Sequence, residues 1–361
     1  MKKHLLFSLD YLPNTGGIAR MMSSIRNEFV AKGENMDVLT AFLDVQIKED
    51  SITRIRGRRF ILELKCWWYL MKHSHSLILC SRWYPEGLLA FLASKKYVVF
   101  THAAELLPLK RNNFINKLRE NIKSKVLKNA KNVIANSSFT RGLYSGHNSI
   151  EIPLAVNPIL FYPTDKQEAK NKWNFDNKKI LLTVSRIQDH KGHELVLKAI
   201  KSLPSSSKKD MVYLIAGTGT YTSTLINLVK DYKLEKNVKF LGFIPEINLL
   251  SLLNASDIFL LCSTSEIDKR KVEGFGLSLL EAQACGIPVI GNNSGGIPSA
   301  IQHEYGGFVI DANNTKEFST LLIQLIDDSE FYIEQSNRAR NAVENYYNWS
   351  RYYNELKEVL N

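Results

Sequence analysis

Two carboxylates, Glu273 and Glu281, stand eight positions apart around the run Gly274-Phe275-Gly276-Leu277. Carboxylates accept hydrogen bonds from vicinal hydroxyls, and a Gly-rich turn that opens a helix aims backbone N–H groups at an anion. One acid for a ribose, one for a hexose and the turn for phosphate is the chemistry of a nucleotide-sugar site. Glu281 alone would be a helix-start acid interacting with the dipole; Glu273 and the glycines beside it favour the site. A second cluster, Ser185-Arg186 with Asp189-His190-Lys191-Gly192, offers a guanidinium and an ammonium that could neutralise a diphosphate leaving group. A third, Pro13-Asn14-Thr15-Gly16-Gly17-Ile18, is another turn able to present N–H groups, through Gly16 and Gly17. Ala216-Gly217-Thr218-Gly219 is weaker, being neither a P-loop nor a full dinucleotide fingerprint.

These clusters need strands to hold them. Short β-rich runs are expected over 4–9, 36–40, 77–80, 97–101 and 133–136, then over 179–185, 211–216, 238–241, 258–262, 288–291 and 307–310, with helical stretches such as 18–32 and 59–71 between them. Such alternation means a parallel sheet wrapped by helices, and it occurs twice: an α/β chain of two Rossmann-like domains. Pro153, Pro158 and Pro163 mark the linker, and the interdomain cleft is the expected ligand position. The turn at 274–277 follows a strand and a polar loop, at a strand carboxyl end, and a helix is expected over 277–284. The run Cys66-Trp67-Trp68-Tyr69 is expected to pack a helix onto a sheet rather than to anchor at a membrane interface.

With 361 residues the chain exceeds one hydrophobic core, and 45% apolar with 23% charged residues is ordinary for a globular protein. Four dispersed cysteines, with no metal or disulfide spacing, point to buried thiols in a reducing cytoplasm. No stretch reads as a signal peptide or membrane span. The net charge of +11 arises in the N-terminal half. Much of it lies in segment 110–131, where Lys110, Arg111, Lys117, Arg119, Lys123, Lys125, Lys128 and Lys131 face one acid, Glu120. Phe114, Leu118, Ile122 and Val126 recur there every fourth residue, so a basic amphipathic helix is expected. It is either a surface helix with its apolar side on the core or a face for anionic lipid or an anionic acceptor. Nucleic acid is the weakest partner, since no nucleic-acid motif accompanies the charge.

Taken in order, Gly16-Gly17, Ser185-Arg186, Lys191-Gly192, Ala216-Gly217-Thr218-Gly219, Phe240-Leu241-Gly242-Phe243, Glu273-Gly274-Phe275-Gly276 with Glu281, Gly286-Ile287-Pro288-Val289-Ile290 and Gly295-Gly296-Ile297-Pro298 resemble a retaining glycosyltransferase of family 4. The resemblance implies the GT-B architecture. Its expected parts are an acceptor-binding Rossmann-like domain over 1–165, a donor-binding one over 166–340, and a last helix over 341–361 returning to the first. It implies transfer of a hexose-type sugar from a UDP or GDP sugar to a glycan or lipid-linked acceptor in cell-surface polysaccharide biosynthesis. The anomeric configuration would be retained, with no metal or cofactor required. Glu281 would bind the ribose, Glu273 the transferred sugar, and Gly274, Phe275, Gly276 and Leu277 the phosphates and sugar. Arg186 and Lys191 would take the diphosphate, with Gly16, Gly17 and Gly217 also at the donor. His102 matches a histidine that the family places by sugar and acceptor; read alone, it is a strand-end histidine with local hydrogen bonds. A place at the inner face of the cell membrane, reached through helix 110–131, goes with this reading. Ser299, where the family often has Glu, and Pro153-Leu154-Ala155-Val156-Asn157, in place of its usual Pro-Asn-Gly-Val-Asp, depart from the pattern around the donor pocket. The alternatives are a nucleotide-sugar epimerase or hydrolase of the same architecture, or a non-catalytic nucleotide-sugar-binding subunit.

Overall fold

The structure, a computed structural model, describes residues 3–14, 16–41, 51–109, 113–302 and 305–360. It divides into two compact units, Met1–Leu154 with Asp268–Arg270 and Trp349–Asn361, and Ala155–Ile267 with Lys271–Asn348.

The first unit runs β1 (His4–Phe7), α1 (Gly17–Ala31), β2 (Met36–Ala41), β3 (Ile52–Ile55), α2 (Arg59–Lys72), β4 (Leu77–Cys80), α3 (Leu88–Leu92), β5 (Tyr97–Thr101), α4 (Phe114–Asn129), β6 (Val133–Ala135), α5 (Ser138–Gly142) and β7 (Ser149–Glu151). Its seven strands, all parallel, lie in the order β3-β2-β1-β4-β5-β6-β7. The chain therefore leaves β1 in one direction and returns at β4 in the other. That reversal opens a crevice at the strands' carboxyl ends. Strands β1, β4 and β5 are wholly buried, as their unbroken apolar runs require of a sheet covered on both faces.

The second unit runs α6 (Lys166–Lys172), β8 (Lys179–Val184), α7 (His193–Ser202), α8 (Ser205–Lys209), β9 (Met211–Ala216), α9 (Thr222–Asp231), β10 (Val238–Gly242), α10 (Glu246–Ala255), β11 (Ile258–Leu261), α11 (Leu277–Ala284), β12 (Val289–Asn292), β13 (Gly307–Ile310), α12 (Thr315–Asp327) and α13 (Ser329–Asn345). Its parallel sheet has the order β10-β9-β8-β11-β12-β13, with the reversal between β8 and β11. The last helix, α14 (Trp349–Leu360), packs on α1 in the first unit, where Phe29 and Tyr353 meet edge to face at 4.9 Å. Among the described residues no helix is long and apolar enough to cross a membrane.

Strands β3 and β7 went unread in the sequence. Both are edge strands, four and three residues long, with half-buried stretches and no apolar run to announce them. All four cysteines are free and buried. The Trp run is split: Cys66 is buried and Trp67 and Tyr69 pack on the core, but Trp68 is 54% exposed on the outer face of α2. The expected packing of the whole run onto the sheet is corrected to that extent. Helix α4 also departs from expectation. Val126 is buried and Ile122 partly so, whereas Leu118 and Phe114 lie in solvent; the apolar stripe is off the core over the first two turns of the helix. Lys123 is not on a solvated face, since it is buried with its ammonium on the Leu106 carbonyl at 3.1 Å and on Glu120 at 2.6 Å. Lys110 and Arg111 of that basic segment, and Thr15 of the first Gly turn, lie outside the described residues.

Candidate functional site

In the second unit the loops after β8 and β11 flank the sheet reversal. Helix α11 starts at Gly276, whose φ of +95° is one that side chains rarely adopt, and a Cβ there would come within 2.9 Å of Leu279 and 3.0 Å of Leu261. Phe275 is buried behind the turn and Leu277 is half-buried. Glu281, on the second turn of α11, is nine-tenths buried; Glu273 is less so and lies before the turn. The Glu273 backbone is clamped by Gly295-Gly296: the Gly296 N–H donates to its carbonyl at 2.8 Å, and a Cβ on Gly295 would approach that oxygen to 2.6 Å.

Lys191 reaches across from the β8 side. Its ammonium sits 2.7 Å from a Glu273 carboxylate oxygen, with both side chains mostly covered. Gly192, at φ +75°, lets this turn press on the end of β11, since a Cβ would lie 1.7 Å from the Cys262 carbonyl oxygen. Beside it Asp189 is paired with Lys271, which holds the Asp189 carboxyl down at about 2. Arg186 is exposed, and its guanidinium has no hydrogen bond or ion pair among the described residues. Gly217, at φ +140°, is where the turns after β8 and β9 touch: a Cβ would lie 1.9 Å from the Ser185 carbonyl oxygen. That close approach by itself accounts for glycine there.

A buried chain of hydrogen bonds supports Ser185 from below. Thr183 Oγ1 donates to the Leu260 carbonyl at 2.7 Å, so its 2.8 Å contact with Tyr213 must be donated by the tyrosine. The Tyr213 oxygen can then accept from His193 Nδ1 at 3.1 Å, which leaves His193 Nε2 bare toward the Ser185 hydroxyl at 3.2 Å. Burial pushes the His193 pKa down to about 4, so the ring is neutral at pH 7.

In the first unit the corresponding reversal, β1 against β4, holds three further groups. Gly16 caps α1 and Gly17 is its first residue; both are exposed. Asp10 ties the loop before them, accepting from Asn14 at 3.0 Å and Arg82 at 3.1 Å. His102 follows β5. Its Nε2 lies 2.9 Å from the Ser81 carbonyl, which only accepts, so Nε2 carries the proton. Burial lowers its pKa and favours the neutral ring, whose Nδ1 is then the basic atom. Its backbone N–H donates to Glu105 at 2.6 Å.

Glu86 is a member that the sequence did not announce. It is 1% exposed, accepts from the Leu9 N–H at 2.9 Å and the Ser81 hydroxyl at 3.1 Å, and its second oxygen is buried with no hydrogen-bond partner among the described residues. Burial raises its pKa. It joins the loop after β1 to the turn after β4, whose Ser81 carbonyl also holds the His102 ring. The only signal was an acid inside the otherwise apolar stretch 83–92.

Two units with doubly wound parallel sheets, and loops at both reversals carrying acids, glycines and cations, define the GT-B class of sugar-transferring proteins. Residues 165–344 match the family described as glycosyl transferases group 1, and the chain belongs to that family. It is 32% identical over 225 residues to a GDP-mannose-dependent monoacylated α-(1-6)-phosphatidylinositol monomannoside mannosyltransferase of Corynebacterium glutamicum, covering 61% of this chain and 58% of that protein. It is 33% identical over 189 residues to an N-acetyl-α-D-glucosaminyl L-malate synthase of Bacillus anthracis, covering 52% and 47%. The alignments thus span about half the length of these relatives. The fold is shared along the whole chain with the Anabaena protein HepE, solved with UDP and glucose, at a TM-score of 0.80 and 19% identity, covering 100% of this chain and 99% of that one.

Proposed function

We propose that this protein transfers a hexose-type sugar, with retention, from a UDP or GDP sugar to a glycan or lipid-linked acceptor, in the assembly of a cell-surface polysaccharide or glycolipid. The observation that carries the reading is the Lys191–Glu273 pair beside the Gly276 helix start, since it gathers a cation, an acid and the start of a helix at one strand-end crevice. Membership of a family of sugar transferases supports it, as do relatives whose names specify GDP-mannose and N-acetylglucosamine chemistry and a like fold holding UDP.

In this reading Glu281 accepts from the ribose hydroxyls and Glu273 from the transferred sugar. The N–H groups of 274–277 meet the phosphates. Arg186, whose guanidinium has no hydrogen bond or ion pair among the described residues, and Lys191 neutralise the diphosphate as the bond from sugar C1 to phosphate oxygen breaks and its electron pair passes to that oxygen. The acceptor oxygen bonds to C1 from the face being vacated, and its proton goes to the departing phosphate. His102 positions sugar or acceptor through Nδ1. Gly16, Gly17 and Gly217 line the donor through their backbone. A cytoplasmic place at the inner face of the membrane suits four buried free thiols and a basic N-terminal half.

The test is thermal shift with UDP, GDP and ADP sugars. At a hundredfold excess over Kd a bound donor adds about 2.7 kcal/mol, or roughly 5–10 °C for a domain of this size. Silence from all of them, and from the bare diphosphates, would sink the proposal. NMR of the product anomer then decides retention.

A further inference from the structure

The first unit carries a second concavity, with no role in the chemistry above. It is a groove of about 330 Å³ lined by Trp83, Tyr84, Leu88, Ile115, Leu118 and Ile122, with Arg59 and Arg119 on it. The two guanidiniums lie over aromatic rings, Arg119 over Trp83 at 5.6 Å and Arg59 over Tyr84 at 5.7 Å. Arg59 has a long contact to Glu63, at 3.4 Å, whereas Arg119 has no hydrogen bond or ion pair among the described residues. The apolar floor opens onto bare apolar surface: Phe114 is 81% exposed and Ile115 73%, and on α2 Ile61, Leu64 and Trp68 follow one another along the outer face. Helix α2 packs on α3 and α3 on α4, so these residues belong to one helical layer. So much uncovered apolar surface marks an interaction site, and the excess positive charge of this half of the chain selects an anionic occupant.

We propose that this groove binds a lipid phosphate, with the hydrocarbon chain along Leu88, Ile115, Leu118 and Ile122 and the phosphate on Arg59 and Arg119. Its volume is at the lower end of the range for small-ligand sites, about 300–1,000 Å³. The groove shares its supports with His102. Trp83 stands two residues after Ser81, whose carbonyl holds His102 Nε2, and the Trp83 indole N–H donates at 3.4 Å to the carbonyl of Glu105, whose carboxylate holds the His102 N–H. A lipid seated there is anchored on the two turns that carry His102. That the anchored lipid is the acceptor's own tail rests on the transferase reading; the binding itself does not.

The experiment is calorimetric titration of the full chain with hexyl, octyl and decyl phosphate below their micellar concentrations. Affinity should rise about threefold to fourfold per added methylene until the groove is filled, as burial of each CH₂ requires. Decanol should bind at least tenfold more weakly than decyl phosphate, and inorganic phosphate should not compete at equal concentration. Leu118→Glu, at a surface position, should lower decyl phosphate affinity at least tenfold, and Arg119→Ala should weaken it and flatten its salt dependence. Three results would each overturn the proposal: no chain-length dependence, equal binding of decanol, or an unchanged Leu118→Glu. A wild-type dimer that Leu118→Glu dissociates would assign the face to a second copy and overturn it too. Thermal shift by UDP and GDP in the same samples checks folding and keeps the two readings apart. Alkyl phosphate binding without any nucleotide shift would sink the transferase alone, and the reverse would sink the groove alone.

Discussion

The Lys191 ammonium lies 2.7 Å from the Glu273 carboxylate, joining the first strand-end loop of the second unit to the Gly turn before α11. Two groups read separately as a phosphate cation and a sugar acid are one hydrogen-bonded pair. Lys191→Met and Glu273→Gln should each lower kcat/KM by about 10²–10³, the cost of removing one preorganised charge from a reaction site. Because each is the other's partner, the double variant should be little worse than the poorer single one, with a coupling of about 2–3 kcal/mol. Steady-state kinetics of the four proteins measures this. Strictly additive losses would mean that the pair does not act as a unit.

Gly192 and Gly242 have nearly the same positive φ, +75° and +69°, in different surroundings. Alanine at Gly242 meets nothing within 4 Å and should cost only the left-handed backbone term, about 1–2 kcal/mol. At Gly192 the new Cβ would fall 1.7 Å from the Cys262 oxygen, so the β8 turn must move and carry Lys191 with it. Gly192→Ala should therefore lose more stability than Gly242→Ala, by calorimetry, and also lose donor affinity, which Gly242→Ala should keep. Equal melting temperatures would refute the packing argument.

The strands that hold these sites were legible because strands covered on both faces read as unbroken apolar runs, as in Leu5-Leu6-Phe7 and Phe259-Leu260-Leu261. Gly276 was legible as well, since a Gly just before a helical run in a strand-end loop has few other uses. The Lys191–Glu273 contact was not, because 82 residues separate the partners and nothing local records a tertiary pairing. Phe114 and Leu118 show another limit. Their fourfold period correctly specifies one face of α4, but period says which residues share a face and not whether the protein covers it. Glu86 left only a lone acid among apolar neighbours, a pattern that solvent-facing acids also produce.

Glu86 differs from an ordinary acid in a testable direction. Burial raises its folded pKa, so the folded state holds its proton to higher pH than the unfolded chain does, and its ionisation destabilises the fold as pH rises. Glu86→Gln keeps an oxygen for Leu9 and Ser81 and carries no charge. Its stability relative to wild type, by urea denaturation, should improve from pH 5 to pH 8. A difference that stays constant over that window would mean that the Glu86 carboxyl titrates alike in both states.

His193 runs the other way. Its folded pKa of about 4 lies below the ordinary 6.5, so between those values the unfolded chain binds more protons and wild type loses stability as pH falls. The loss, about 3 kcal/mol for a shift of that size, should be complete by pH 4 and is absent above pH 6.5. His193→Gln should remove that share of the acid sensitivity, leaving the slope due to other groups. Nitrogen-15 NMR supplies the independent readout: wild-type His193 should show its proton on Nδ1 and remain neutral at pH 5.5. Tyr213→Phe takes away the acceptor of that proton, so the ring should turn toward the Nε2-protonated form and donate to Ser185 in place of accepting from it. With Ser185 reversed next to Arg186, donor KM should rise while the fold melts within a few degrees of wild type. An unchanged tautomer in Tyr213→Phe would show that the chain from Leu260 to Ser185 does not set the direction of these hydrogen bonds.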